Sequence, residues 1–110
     1  MTIANHHTQI CLDTWIQCED LLAKIAGVKN SISKHFLKVM DECAMICMGT
    51  FHAIRSKSQH INRMALLCVG ICEECADLFD SHGEQEFREF AATCRQCSES
   101  MTEIAFTNLQ

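Results

Sequence analysis

Residues 68 to 79, CVGICEECADLF, set Cys68, Cys72 and Cys75 at intervals of four and three. Residues three and four apart share a helix face, so these thiols can project into one volume. The pairs Cys43/Cys47 and Cys94/Cys97 repeat the device, and Cys11 and Cys18 stand two turns apart. Thiols gathered in this way can hold soft metal ions, cycle through disulfides or simply fill space. A single cysteine on an apolar face is usually core filler, because the free thiol packs as a small hydrophobe. Nine cysteines in 110 residues, spread along the apolar stripes of the whole chain, argue for chemistry instead.

Other soft ligands fall in phase with the thiols. Met64 stands four residues before Cys68, Met101 four after Cys97 and Met40 three before Cys43, while His7 precedes Cys11 by four and His60 precedes Met64 by four. Thioethers suit Cu(I) and are uncommon zinc ligands, although methionine also serves as a gap-filler. Charge separates the metals further. A Zn²⁺ held by four thiolates leaves about −2, and two such layers would bury about −4 in a core whose stripes hold no Lys or Arg. Cu(I) takes two or three thiolates and lets sulfurs bridge, so a cluster with nearly one Cu⁺ per thiolate approaches neutrality.

The elements that must position these groups read as helices. Proline is absent, and glycines and Ser/Lys clusters divide the chain into four pieces with helical periodicity. The stripes are His7, Cys11, Trp15, Cys18, Leu22 and Ile25; Phe36, Met40, Cys43, Cys47, Phe51 and Ile54; Ile61, Met64, Cys68, Cys72, Cys75 and Phe79; and Phe87, Phe90, Cys94, Cys97, Met101 and Ile104. The first piece ends near Gly27, the second opens near Asn30 or Ser31, RSKSQ (55–59) is a polar link, and Gly83 in DSHGE suits a helix end. Short links predict an all-α, antiparallel up-down-up-down four-helix bundle, a single domain over residues 1–110.

In that topology depth can be counted from the end shared by the starts of the first and third helices. At 1.5 Å per residue, Cys11, Cys47, Cys68 and Cys97 fall in a layer roughly 9 to 13 Å deep. Cys18, Cys43, Cys72 and Cys94 fall in a second at roughly 18 to 20 Å, with Cys75 one turn further in beside Met40. Met64 and Met101 lie outside the first layer, with His6, His7, His52 and His60 around the rim. Phe36, Phe79, Phe87 and Phe90 gather at the opposite end, where His35 and His82 are surface groups.

Composition excludes other classes. A net charge of −5, with acids bunched between Glu73 and Glu89, repels phosphate backbones, so nucleic acid is not an expected partner. The first ten residues carry no basic group ahead of an apolar stretch, and the longest run without polar side chains, Met64 to Cys72, is too short for a membrane span. The expectation is a cytoplasmic protein with free thiols. No Gly-rich phosphate loop, no G-x-S-x-G and no core carboxylate pair suggests an enzyme.

DECAMIC in the second helix, CVGICEECADLF in the third and CRQCSESM in the fourth resemble the cysteine-rich four-helix-bundle copper storage proteins of the cytosolic type. The resemblance covers about residues 3 to 107. It implies core thiolates holding many Cu(I) ions, admitted at an end lined by Met and His, in subunits that commonly form homotetramers. A copper chaperone or a small-molecule thiol is then the expected partner. Carried over by residue, it reaches Cys43, Cys47, Cys68, Cys72, Cys75, Cys94 and Cys97 most directly, then Cys11 and Cys18. Relatives tend to be denser in thiols than HHTQICLDTWIQC, and Met101 stands where a further cysteine would be expected. Two other readings stand beside copper storage: a structural or sensing bundle with one or two Zn²⁺ or an iron–sulfur cluster, and a redox module cycling Cys94-x-x-Cys97 or Cys72-x-x-Cys75. The second lacks the helix N-terminus that lowers a thiol pKa in such motifs.

Overall fold

A computed structural model describes residues 3–26, 33–81 and 84–107 of the chain. Four helices run in order: α1 (Ile3–Ala26), α2 (Lys34–Arg55), α3 (Ile61–Asp80) and α4 (Gln85–Ala105). Each packs on its two neighbours in a closed ring, α4 returning to α1, and among the described residues the backbones of diagonal helices do not approach closely, so only side chains meet across the middle. The arrangement is the expected up-down-up-down bundle, and no strand occurs among the described residues.

Contacts at the two ends fix the direction of every helix. At the first end, the Asn62 side chain at the start of α3 donates to the Ile104 carbonyl of α4 at 2.8 Å, and Thr50 of α2 donates to the Met64 carbonyl at 3.3 Å. At the second, Lys24 of α1 pairs with Glu86 of α4 at 2.5 Å. There the Phe79 ring sits edge-on to Phe36, Phe87 and Phe90, with centroids 5.2, 5.2 and 5.3 Å away. Edge-to-face rings pair the positive rim of one with the negative face of another, which adds to the apolar area they remove from water.

One boundary departs from the sequence reading. Helix α2 begins at Lys34 because the Ser33 hydroxyl accepts the Phe36 N–H at 3.3 Å, a side-chain cap that satisfies a donor the first turn cannot. Gly27, Asn30, Ser31, His82 and Gly83 lie outside the described residues. The RSKSQ link forms a Schellman turn: the Lys57 N–H bonds the Ile54 carbonyl at 3.2 Å and the Ser58 N–H bonds the Ala53 carbonyl at 2.9 Å. Lys57 carries a φ of 56° there, a left-handed conformation that usually falls to glycine.

The inner stripes hold with a small rotation in α1. His7, Cys11, Cys18 and Ile25 are buried as expected, but Thr14 and Leu21 take the inner positions and leave Trp15 and Leu22 half-buried. Thr14 tolerates the core because its hydroxyl donates to the Ile10 carbonyl at 2.8 Å. Phe36 and Met64 are also only half-buried, while every expected stripe residue of α4 is buried.

Replacing Lys57 by Gly should raise the unfolding free energy by about 1 kcal/mol, since it removes a left-handed non-glycine residue. Phe79→Ala should lower it by about 3–5 kcal/mol through the cavity left among three rings. Denaturant melts of the reduced protein measure both, and an unchanged midpoint for Phe79→Ala would contradict the packing described.

Candidate metal centre

All nine cysteines are fully buried free thiols. They divide into two adjoining groups. In the first, the sulfurs of Cys47, Cys68, Cys72 and Cys97 lie within 4.8 Å of one another; in the second, so do those of Cys43, Cys75 and Cys94. Within the first, Cys47–Cys68 is 3.7 Å, while Cys47–Cys72, Cys68–Cys72 and Cys68–Cys97 are each 3.9 Å. Cys11 meets the first group through Cys68 and Cys97, and Cys18 meets the second through Cys43.

The grouping differs from the depth count in one respect. Cys72 belongs with the first group, and Cys75 takes its place in the second. The cause is the tilt of every Cα–Cβ bond toward its own helix N-terminus. Helix α3 starts at the Met/His end, so its sulfurs lean toward that end; α2 and α4 finish there, so theirs lean away. A count based on Cα rise misses this shear between antiparallel neighbours.

Hydrogen bonding among the thiols polarises them. Cys43 is driven far below the ordinary thiol range by bonds from Cys18, Cys47, Cys72 and Cys75, and Cys97 likewise by bonds from Cys11, Cys47, Cys68 and Cys72. Cys68 is lowered to about 6, mainly by bonds from Cys11, Cys47 and Cys72. Their donors are raised: Cys11 through Cys68 and Cys97, Cys18 through Cys43, and Cys75 through Cys43 and Cys94, with burial adding to each. Cys47, Cys72 and Cys94 are raised too, each first by its bond to Cys43. Cys68 and Cys97 in the first group and Cys43 in the second therefore carry the thiolate character, and the rest hold their protons. No Lys or Arg is buried among the described residues, and the buried polar side chains besides the thiols are His7, Thr14, Thr50, Ser98 and Ser100.

Above the groups, toward the Met/His end, the Cys11 thiol donates to the Met101 thioether at 3.4 Å, both side chains fully buried. His7 is buried beside them, its Nδ1 hydrogen-bonded to the Ser100 hydroxyl and its Nε2 3.5 Å from a Glu103 carboxylate oxygen. Burial lowers the His7 pKa against the opposing pull of Glu103, with His6 adding to the fall. A neutral ring with Nε2–H toward Glu103 and Nδ1 accepting from Ser100 fits this setting, so the ring must release Ser100 before it can ligate. Ser100 and Glu103 were not anticipated; the signal available was the position of Ser100, three after Cys97 on the inner stripe.

The other two expected groups lie elsewhere on the same end. Met64 is half-buried and His60 exposed, and both line a surface depression between α2 and α3 with His52. Gly49 makes room for Met64, whose methyl carbon would stand 2.9 Å from a Cβ added there. Met45 and Met48 point outward, and His35 is exposed.

Sulfur spacing alone does not choose the metal. A tetrahedral zinc with bonds of ~2.3 Å needs edges of about 3.8 Å, which the first group also offers. The absence of buried cations among the described residues argues against leaving a dianionic centre there. Both CxxC pairs are split between the two groups, Cys94 from Cys97 and Cys72 from Cys75, so each cysteine's grouped partners include sulfurs of other helices rather than its CxxC mate.

The family model for copper storage proteins matches residues 2–106. A Cu(I)-bound copper storage protein, BsCsp3, superposes with a TM-score of 0.85 at 22% identity, covering 94% of this chain and 99% of its own. No curated protein sequence matches significantly.

Above the ordinary thiol pKa of 9.0, the raised cysteines fix the sign of the pH dependence. There the unfolded chain has lost protons that the folded core retains, and the lowered sulfurs are ionised in both states, so stability falls as pH rises. Thermal melts of the reduced, metal-free protein should show the midpoint dropping between about pH 9 and 11. A midpoint flat or rising over that range would contradict the thiol state described.

Proposed function

The chain belongs to the copper storage protein family, and on that premise we propose that it binds and stores or buffers Cu(I) on the thiolates of its bundle core. The observation that carries this reading is the union of two sulfur groups in a core with no buried cation among the described residues. Monovalent soft ions bridged by thiolates neutralise such a core one charge at a time, and divalent ions in all-thiolate sites do not. Cys43, Cys47, Cys68, Cys72, Cys75, Cys94 and Cys97 form the store, extended by Cys11 and Cys18 at its margins. Met101 and Cys11 form a neutral thiol–thioether step above it, and His7, Met64 and His60 are further ligands at the same end.

The role is one of holding metal, with no reaction catalysed. Buried free thiols suit a reducing compartment, and we assign the protein to the cytoplasm. No helix among the described residues is long and apolar enough to cross a membrane. A homo-oligomer, tetrameric as the family resemblance implies, would cover Ile16, Met45, Leu66 and Leu67, which stand exposed on the single chain. A copper chaperone or a small-molecule thiol brings and removes the ion.

Reduced apo-protein, titrated anaerobically against a competing Cu(I) chelator, should take up several equivalents per chain. Replacing Cys68, Cys72 and Cys97 together by Ser should lower that number substantially. Saturation at one or two equivalents, untouched by the triple replacement, would contradict the storage reading.

A further inference from the structure

The α2–α3 corner of the Met/His end carries a charge pattern unlike the rest of the molecule. From Cys43 to Cys72 the sequence contains no Asp or Glu, although the chain as a whole has a net charge of −5. The charged residues in that stretch are Arg55, Lys57 and Arg63, and among the described residues none of them makes an ion pair. Lys24 and Arg95, by contrast, are tied to carboxylates.

At this corner lies the depression of about 580 Å³ lined by Gly49, His52, Arg55, Ser56, His60 and Met64, with no carboxylate in its wall. Arg55 stands with its guanidinium carbon 5.6 Å from the Phe51 ring centroid, so its charge is braced over an aromatic face. The acids of α4 at this end, Glu99 and Glu103, border a separate depression with His6, Ile10 and Gln96. Two imidazoles, a thioether and a braced guanidinium therefore share one open wall. Imidazole and thioether are ligands for Cu(I); the guanidinium is a ligand for whatever negative charge accompanies it.

We propose that this depression receives Cu(I) as a small anionic thiolate complex, Arg55 holding the anionic groups of the donor while Met64 and His60 take the metal. The proposal rests on the storage reading and names the class of donor it uses. Exchange proceeds without electron transfer: a donor S–Cu bond breaks as a bond from the Met64 thioether or the His60 imidazole forms. Copper then passes one helical turn along α3 to Cys68 and its neighbours. Each core thiol that binds gives up its proton, and each departing thiolate takes one, leaving as free thiol. Copper remains Cu(I), and the negative charge of the donor stays outside the apolar core, beside Arg55.

Two donors of matched sulfur chemistry test the idea on the full reduced chain: Cu(I) complexed with 3-mercaptopropionate, which carries a carboxylate, and with 3-mercapto-1-propanol, which carries an uncharged hydroxyl in its place. Stopped-flow absorbance follows copper–thiolate formation in the protein. Wild type should load faster from the carboxylate donor, and added salt should narrow the difference. Arg55→Glu should slow loading from that donor on the order of tenfold, slow the hydroxyl donor far less, and leave the final copper content unchanged; Arg55→Lys should retain most of the preference. Equal wild-type rates from the two donors, or an equal loss from both in Arg55→Glu, would overturn the proposal. High capacity without charge preference would sink this inference alone, whereas a wild type that takes only one or two equivalents from either donor would sink the storage reading with it.

Discussion

The bundle is governed by the cost of charge in an interior where, among the described residues, no Lys or Arg is buried. Seven sulfurs in two adjoining groups, four and three, with two more at the margins, occupy space that a bundle of this size would otherwise fill with leucine. A thiol is tolerated there because it is nearly apolar, whereas an isolated thiolate loses its hydration and gains nothing in return. The apo core therefore shares its protons, concentrating thiolate character on Cys43, Cys68 and Cys97 through the bonds they accept from their neighbours. Soft monovalent ions replace those protons charge for charge. That exchange leaves the packing requirement of the core nearly unchanged, which is why a rigid four-helix frame can serve both states.

The frame divides its labour along its length. The phenylalanine cluster around Phe79 supplies cohesion at one end without thiols, and the sulfur groups occupy the rest. Antiparallel topology then interleaves ligands that rise per residue alone would separate. Because α3 leans its side chains toward the Met/His end and its neighbours lean away, Cys68 and Cys72 both join Cys47 and Cys97, and Cys75 drops into register with Cys43 and Cys94. Three sulfurs on α3 thus join the two groups into one continuous path. Above them the polarity changes by steps, from Cys11 with Met101 to His7 with Ser100 and Glu103.

Much of this was legible in the sequence. The 3 and 4 spacing of Cys43/Cys47, Cys68/Cys72/Cys75 and Cys94/Cys97, with short links and no proline, dictated helices and their inner faces, and CVGICEECADLF with CRQCSESM carried the family. Periodicity located the stripes to within one position but could not resolve the rotation that buries Thr14 in place of Trp15, because a threonine that bonds its own backbone leaves no mark in a hydropathy pattern. The start of α2 depended on the Ser33 cap, one of several capping residues in a Ser-rich link. Neither the exchange of Cys72 and Cys75 between groups nor the clasp of Ser100 and Glu103 on His7 follows from spacing, since both depend on side-chain direction between helices that meet only in three dimensions.

Charge neutrality of the loaded core is the claim on which the rest depends, and the proton count per copper measures it most directly. Anaerobic addition of Cu(I) from a donor that neither binds nor releases protons, followed by a pH indicator in weakly buffered solution, gives that ratio. The account predicts a ratio at or below one as the thiols fill, since each Cu⁺ displaces at most one proton and Cys43, Cys68 and Cys97 hold theirs least. A ratio holding near two up to saturation would mean that negative charge accumulates in the interior, and the account would be wrong.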